Sequence, residues 1–123
     1  MAKKVLLIED SPIDAAIVKE LVEKEGIEVE VAMTGEEGLE KARRIKPDLI
    51  LSDLVLPGID GFEVCAQLKK EVSLSGTMVV ILSVKDNPGE ITKAFSVGAD
   101  DYIIKAPMPE FLIKKIKLYL GMK

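Results

Sequence analysis

Apolar residues along the chain alternate between two arrangements. Uninterrupted apolar runs stand at Val5–Ile8, Leu49–Leu51 and Met78–Leu82. Between them apolar positions recur at helical spacing. In "SPIDAAIVKELVEKEG", Ile13, Ile17 and Leu21 share one face; Ser11 is placed to cap, Pro12 to open the first turn and Gly26 to stop the helix. "TGEEGLEKARRI" carries a capping box from Thr34 to Glu37, with Leu39, Ala42 and Ile45 on one side. "GFEVCAQLKKE" is helical in pattern. "NPGEITKAFSVG" has Asn87 as cap, Ile91, Ala94 and Phe95 turned inward, and Gly98 as terminator. "PEFLIKKIKLYLG" closes the chain, with Leu112, Ile116 and Tyr119 spaced for burial.

Two further strands complete the series. "IEVEVAM" alternates apolar and acidic residues, so one of its faces meets water. "DDYIIK" precedes the last helix. Strand and helix thus alternate five times, which predicts an α/β domain with a parallel sheet. The uninterrupted runs suit central strands covered on both faces, and the alternating second strand belongs at an edge. The order 2-1-3-4-5 meets both conditions, and right-handed crossovers then give a doubly wound (βα)5 three-layer sandwich. A ligand site in such a sheet lies beyond the carboxyl ends of the strands, where the order reverses between strands one and three.

The residues at those ends are chemically unusual. Strand one runs into Glu9 and Asp10, strand three into Asp53, strand four into Ser83 and strand five into Lys105. Two carboxylates about 4 Å apart repel by about 4 kcal/mol at an effective dielectric near 20. One lysine does not neutralise three of them. An all-oxygen cluster favours a hard divalent cation, and Mg²⁺ fits because it binds through a few carboxylates and fills its shell with water and phosphate. An ionised Asp53 can attack phosphorus and form an acyl phosphate without a general base. Mg²⁺ and Lys105 would neutralise the phosphoryl oxygens, with Ser83 donating a hydrogen bond. Pro57-Gly58 and Asp60-Gly61, just downstream, read as turn chemistry.

Composition narrows the alternatives. The chain of 123 residues is the size of one domain, residues 1–123. A net charge of −4 argues against a nucleic-acid surface. The absence of histidine removes imidazole base chemistry and any phosphohistidine on this chain, so a phosphoryl donor has to be a separate molecule. Cys65 has no partner for an internal disulfide, fits a reducing cytoplasm and reads as a small core residue on the third helix. The first ten residues do not form a signal-peptide pattern, and no apolar run reaches membrane-spanning length.

"IEDSP", "SDLVLPGIDGFEV", Ser83 after "VVIL", and "GADDYIIK" together resemble the receiver domain of two-component response regulators, over almost the whole length. The resemblance implies a flavodoxin-like fold and a phosphorylation-dependent switch. It implies Asp53 as phospho-acceptor, Asp10 as a direct Mg²⁺ ligand, Glu9 as one through water, and the backbone carbonyl of Val55 as a further ligand. Lys105 and Ser83 would contact the phosphoryl group. Tyr102 would turn inward as Ser83 moves, reshaping the face of helix four, strand five and helix five for a downstream protein. The donor would be a sensor histidine kinase or a histidine phosphotransfer protein. No output domain follows in this sequence, so the expected output is protein binding or onward phosphoryl transfer, by a monomer or a weak phosphorylation-dependent dimer.

Three positions depart from the family pattern. Proline usually follows the lysine in a cis peptide; here Ala106 does, and a cis non-proline bond costs about 2.5–4 kcal/mol, so a trans Lys105–Ala106 bond is expected. Val84 is larger than the small residue usual after the hydroxyl, and Val55 is apolar where some members are polar. Other readings are a receiver-like interaction module that carries no phosphate and an aspartate-nucleophile phosphatase. The phosphatase reading lacks the second acid two residues beyond a nucleophile on the first strand. An electron carrier would want hydroxyls and amides, not acids, at the first turn.

Overall fold

The computed structural model describes residues 2–123. Its elements follow the alternation in the sequence: β1 (Lys4–Ile8), α1 (Pro12–Glu23), β2 (Glu28–Ala32), α2 (Gly35–Ile45), β3 (Leu49–Ser52), α3 (Gly61–Lys70), a 3₁₀ turn (Val72–Leu74), β4 (Met78–Ser83), α4 (Pro88–Ser96), β5 (Asp101–Ile104) and α5 (Pro109–Tyr119). The five strands are parallel in the order β2-β1-β3-β4-β5.

The period of two along each strand divides the core. Leu6, Ile8, Ile50, Val79 and Ile81 point to the face covered by α2, α3 and α4, where they meet Leu39, Val64, Leu68 and Ala94. Val5, Leu7, Leu51, Val80 and Ile103 point the other way, to Ala15, Val22, Leu112 and Ile116 of α1 and α5. Cys65 is fully buried, and burial pushes its thiol up to about 11, so it is inert packing.

Helix starts follow their caps. Ser11, Thr34, Asp60 and Asn87 each accept an amide N–H from three residues on. Glu37 completes the α2 box by accepting from Met33 N–H, one residue before the cap. In two helices the covered face is not the one marked by the apolar spacing. Ile13 and Ile17 are exposed, and α1 buries Ala15 and Val22 instead, with Val18 packed beside them. Two apolar stripes share this helix, and helical spacing alone does not say which the sheet covers. In α4 only Ala94 is buried; Phe95, about 100° further round the helix, faces solvent. Among the described residues no helix is long and apolar enough to cross a membrane.

Candidate functional site

The backbone pairing continues one step past β1, β3 and β5, and this step fixes the site residues. Glu9 N–H donates to Ala32 O at 2.9 Å, Asp53 N–H to Ile8 O at 3.0 Å, and Lys105 N–H to Ser83 O at 2.8 Å. Glu9, Asp10 and Asp53 thereby converge, with one carboxylate oxygen from each lying within 4.8 Å of the others. Glu9 and Asp53 are buried and Asp10 is exposed.

Lys105 reaches across the sheet into this cluster. Its ammonium donates to Glu9, to Asp53 Oδ2 at 3.0 Å and to Asp14 Oδ2 at 3.1 Å. The second oxygens of Glu9 and Asp53 are also engaged: Glu9 Oε2 accepts Ser11 N–H at 3.1 Å, and Asp53 Oδ1 accepts Val55 N–H at 3.2 Å. Burial alone would lower the Lys105 pKa, but the carboxylates outweigh it and hold the amine above the ordinary lysine range. Glu9 is pushed up by burial, against the hydrogen bonds from Lys105 and Ser11 that lower it. We favour the ionised Glu9, because both of its donors address a carboxylate and the ammonium beside it stays charged.

Ser83 is fully buried at the end of β4, and its Oγ accepts Lys85 N–H at 3.3 Å. The Tyr102 ring packs against the α2–α3–α4 core, and its hydroxyl donates to Lys85 O at 2.6 Å. Burial raises the Tyr102 hydroxyl pKa, partly opposed by hydrogen bonding to Ser83. Both residues thus hold the same β4–α4 loop. Val55 and Val84 are exposed at the rim.

The Lys105–Ala106 peptide is cis, which corrects the expected trans bond. That expectation weighed a local preference only. Lys105 is also held on both sides by tertiary contacts, its amide by Ser83 and its amine by three carboxylates. Asp14 was not foreseen at the site. Its signal lay in the capped start of α1: with Ser11 as cap, Asp14 falls in the first turn, beside the point where the strand order reverses.

The donor set is entirely oxygen and carries more negative charge than one lysine offsets. It therefore fits a hard cation such as Mg²⁺ better than a thiolate- or imidazole-seeking metal. A five-stranded doubly wound sheet with acids after β1 and β3 and a lysine after β5 defines the class of aspartate-centred signalling receivers. The chain belongs to the response regulator receiver domain family, whose model matches residues 5–117. It is 35% identical over 118 residues to Protein PilH of Pseudomonas aeruginosa, covering 96% of this chain and 98% of that protein. It is 35% identical over 120 residues to the alkaline phosphatase synthesis transcriptional regulatory protein PhoP of Bacillus subtilis, covering 98% of this chain but 49% of that one. A CheY-like receiver domain protein from Methanospirillum hungatei superposes with a TM-score of 0.92 at 30% identity, covering 98% of this chain and 95% of that one. The chain is a receiver domain of the two-component type, a family whose members interact with histidine kinases and downstream effectors.

Proposed function

We propose that Asp53 is the phospho-acceptor of this domain and takes its phosphoryl group from a phosphohistidine of a sensor histidine kinase or a histidine phosphotransfer protein. One observation carries this reading: Asp53 and Glu9, just past the ends of β3 and β1, share the ammonium of Lys105, just past the end of β5. An Asp53 carboxylate oxygen attacks phosphorus, the phosphorus–nitrogen bond breaks, and the imidazole nitrogen keeps the electron pair. Lys105 neutralises charge on the transferred oxygens, and Ser83 swings from Lys85 to donate to one of them. Glu9, Asp10, Asp53 and the Val55 carbonyl would hold Mg²⁺, which supplies further charge neutralisation when bound.

The donor has to reach Asp53 from solvent. A groove of about 300 Å³ runs from Asp14 and Lys105 between α1 and the start of α5, with Ile17, Leu21, Val84 and Pro107 in its walls. The exposed Ile17 has a use there as an apolar contact for the donor protein. The output face is a different one. Phe95, Ile104, Phe111 and Leu118 are exposed on α4, β5 and α5, around the Tyr102 strand. Moving a population from mostly off to mostly on takes about 5.5 kcal/mol. New charged hydrogen bonds contribute about 1.5–3 kcal/mol each, so two or three at Ser83, Lys105 and loop amides match that demand. We place the domain in the cytoplasm, as a monomer or a weak phosphorylation-dependent dimer, with a protein target at the α4–β5–α5 face.

The test is intact-mass measurement after incubation with Mg²⁺ and a small acyl-phosphate donor. One phosphoryl adduct is expected, absent in Asp53→Asn. Bound Mg²⁺ with no adduct would favour an interaction module, and steady release of phosphate from unrelated phosphomonoesters would favour a phosphatase. A second expectation concerns the rim. Val55 and Val84 obstruct attacking water, so Val55→Asn or Val84→Ala should hasten loss of the adduct by about threefold, or about 0.7 kcal/mol of barrier. An unchanged decay rate in both variants would remove this role.

A further inference from the structure

We infer that Asp14 is a positioning residue for Lys105: its carboxylate takes the ammonium when Glu9 and Asp53 turn to a divalent cation, and it thereby sets how readily that cation binds. This rests on the proposal that Asp53 works with Mg²⁺. An ammonium has three donors and no acceptor. Here the three meet Glu9, Asp53 and Asp14. Glu9 and Asp53 also belong to the set of carboxylates close enough to hold an ion, whereas Asp14 does not. The amine and the cation therefore compete for the same two carboxylates. Asp10 is the partner left for the cation alone, and Asp14 the partner left for the amine alone.

Burial shows why the amine needs such a partner. The Lys105 side chain is only 11% exposed, so its charge does not simply turn into water. The Asp14 side chain is 46% exposed, against 4% for Glu9 and 9% for Asp53. It stands on a different element, in the first turn of α1, where Ser11 Oγ accepts its backbone N–H at 3.3 Å. Its backbone is anchored while its carboxylate has room to follow the amine. Without Asp14 the ammonium concentrates on Glu9 and Asp53, the two groups the cation requires.

Calorimetric titration of the full chain with Mg²⁺ alone tests this. Asp14→Asn should weaken Mg²⁺ binding by about three- to fivefold, the scale of a half-exposed ion pair. Asp14→Glu, which restores the charge, should recover affinity to within about twofold of the native chain. Lys105→Met should bind Mg²⁺ more tightly, and adding Asp14→Asn to it should change nothing further. An unchanged affinity in Asp14→Asn alone overturns the inference, even if the lysine variant does not fold. An equal loss with and without Lys105 overturns it too, because Asp14 would then act on the ion directly. If the native chain binds Mg²⁺ and takes the phosphoryl group while Asp14→Asn is indifferent, only the positioning role falls. If the native chain does neither, the reading of Asp53 falls and takes this one with it.

Discussion

Mg²⁺ at about a hundred times its dissociation constant is expected to raise the melting temperature by about 10 °C, and Asp10→Asn to raise it by about 5 °C when no divalent ion is present. Both effects come from the same crowding. Glu9, Asp10 and Asp53 bring carboxylate oxygens within 4.8 Å of each other, and Asp10 is the member that Lys105 does not touch. Asp10 is exposed, so its repulsion from each neighbour is nearer the watery limit, about 1 kcal/mol per neighbour. Removing its charge while keeping its shape relieves that repulsion. A ligand that binds only the folded chain at about a hundred times its dissociation constant adds about 2.7 kcal/mol. The two curves should therefore cross: Asp10→Asn melts higher than the native chain in a chelator and lower in saturating Mg²⁺, because the variant has lost one ligand. Calorimetric melts with and without Mg²⁺ check this. If neither change moves the transition, the carboxylates do not act on one another, and the metal-assisted reading of Asp53 goes with them.

The parts of this molecule legible in the sequence are those that depend on period and topology. A central parallel strand buried on both faces has to be apolar throughout, and an edge strand with one wet face has to alternate. Val5–Ile8 and Glu28–Ala32 therefore declared their places, and the strand order followed. Given that order, Glu9, Asp53 and Lys105 had to share one end of the sheet, and Lys105 bonds both acids there. What periodicity does not carry is rotation about an axis. The covered face of α1 and the outward turn of Phe95 depend on how each helix lies on the sheet. Nor does it carry contacts made by an exposed first-turn residue such as Asp14, or a backbone geometry held by distant groups, as at Lys105–Ala106. The turn-forming pairs after Asp53 are a third case, where the residue types were informative but for differing reasons.

Gly61→Ala is expected to destabilise the domain by about 3 kcal/mol, lowering the melting temperature by about 10 °C, and to slow the phosphorylation proposed for Asp53. Asp60-Gly61 resembles a turn signal, yet Gly61 is the first residue of α3 and is not among the glycines with positive φ. Its requirement is space. Its N–H donates to Leu54 O at 2.9 Å, and a Cβ there would press on the carbonyl oxygen of Asp53 and on Leu54 Cα. Both are backbone atoms that no rotamer change can move aside, so a methyl group has to lift the β3–α3 loop off the strand end. The loop carries Val55, whose amide holds Asp53 Oδ1, so the displacement reaches the Asp53 carboxylate. Gly58 supplies the contrast. It has φ +76°, and its Cβ would approach the Glu36 carboxylate at 2.6 Å, the mobile end of a long side chain. Alanine there costs about 1–2 kcal/mol of left-handed backbone strain and leaves Asp53 in place. Melting both variants and timing their phosphorylation separates the two requirements. If Gly58→Ala lowers the transition more than Gly61→Ala does, or if Gly61→Ala phosphorylates at the native rate, then Asp53 is not seated by close packing against α3.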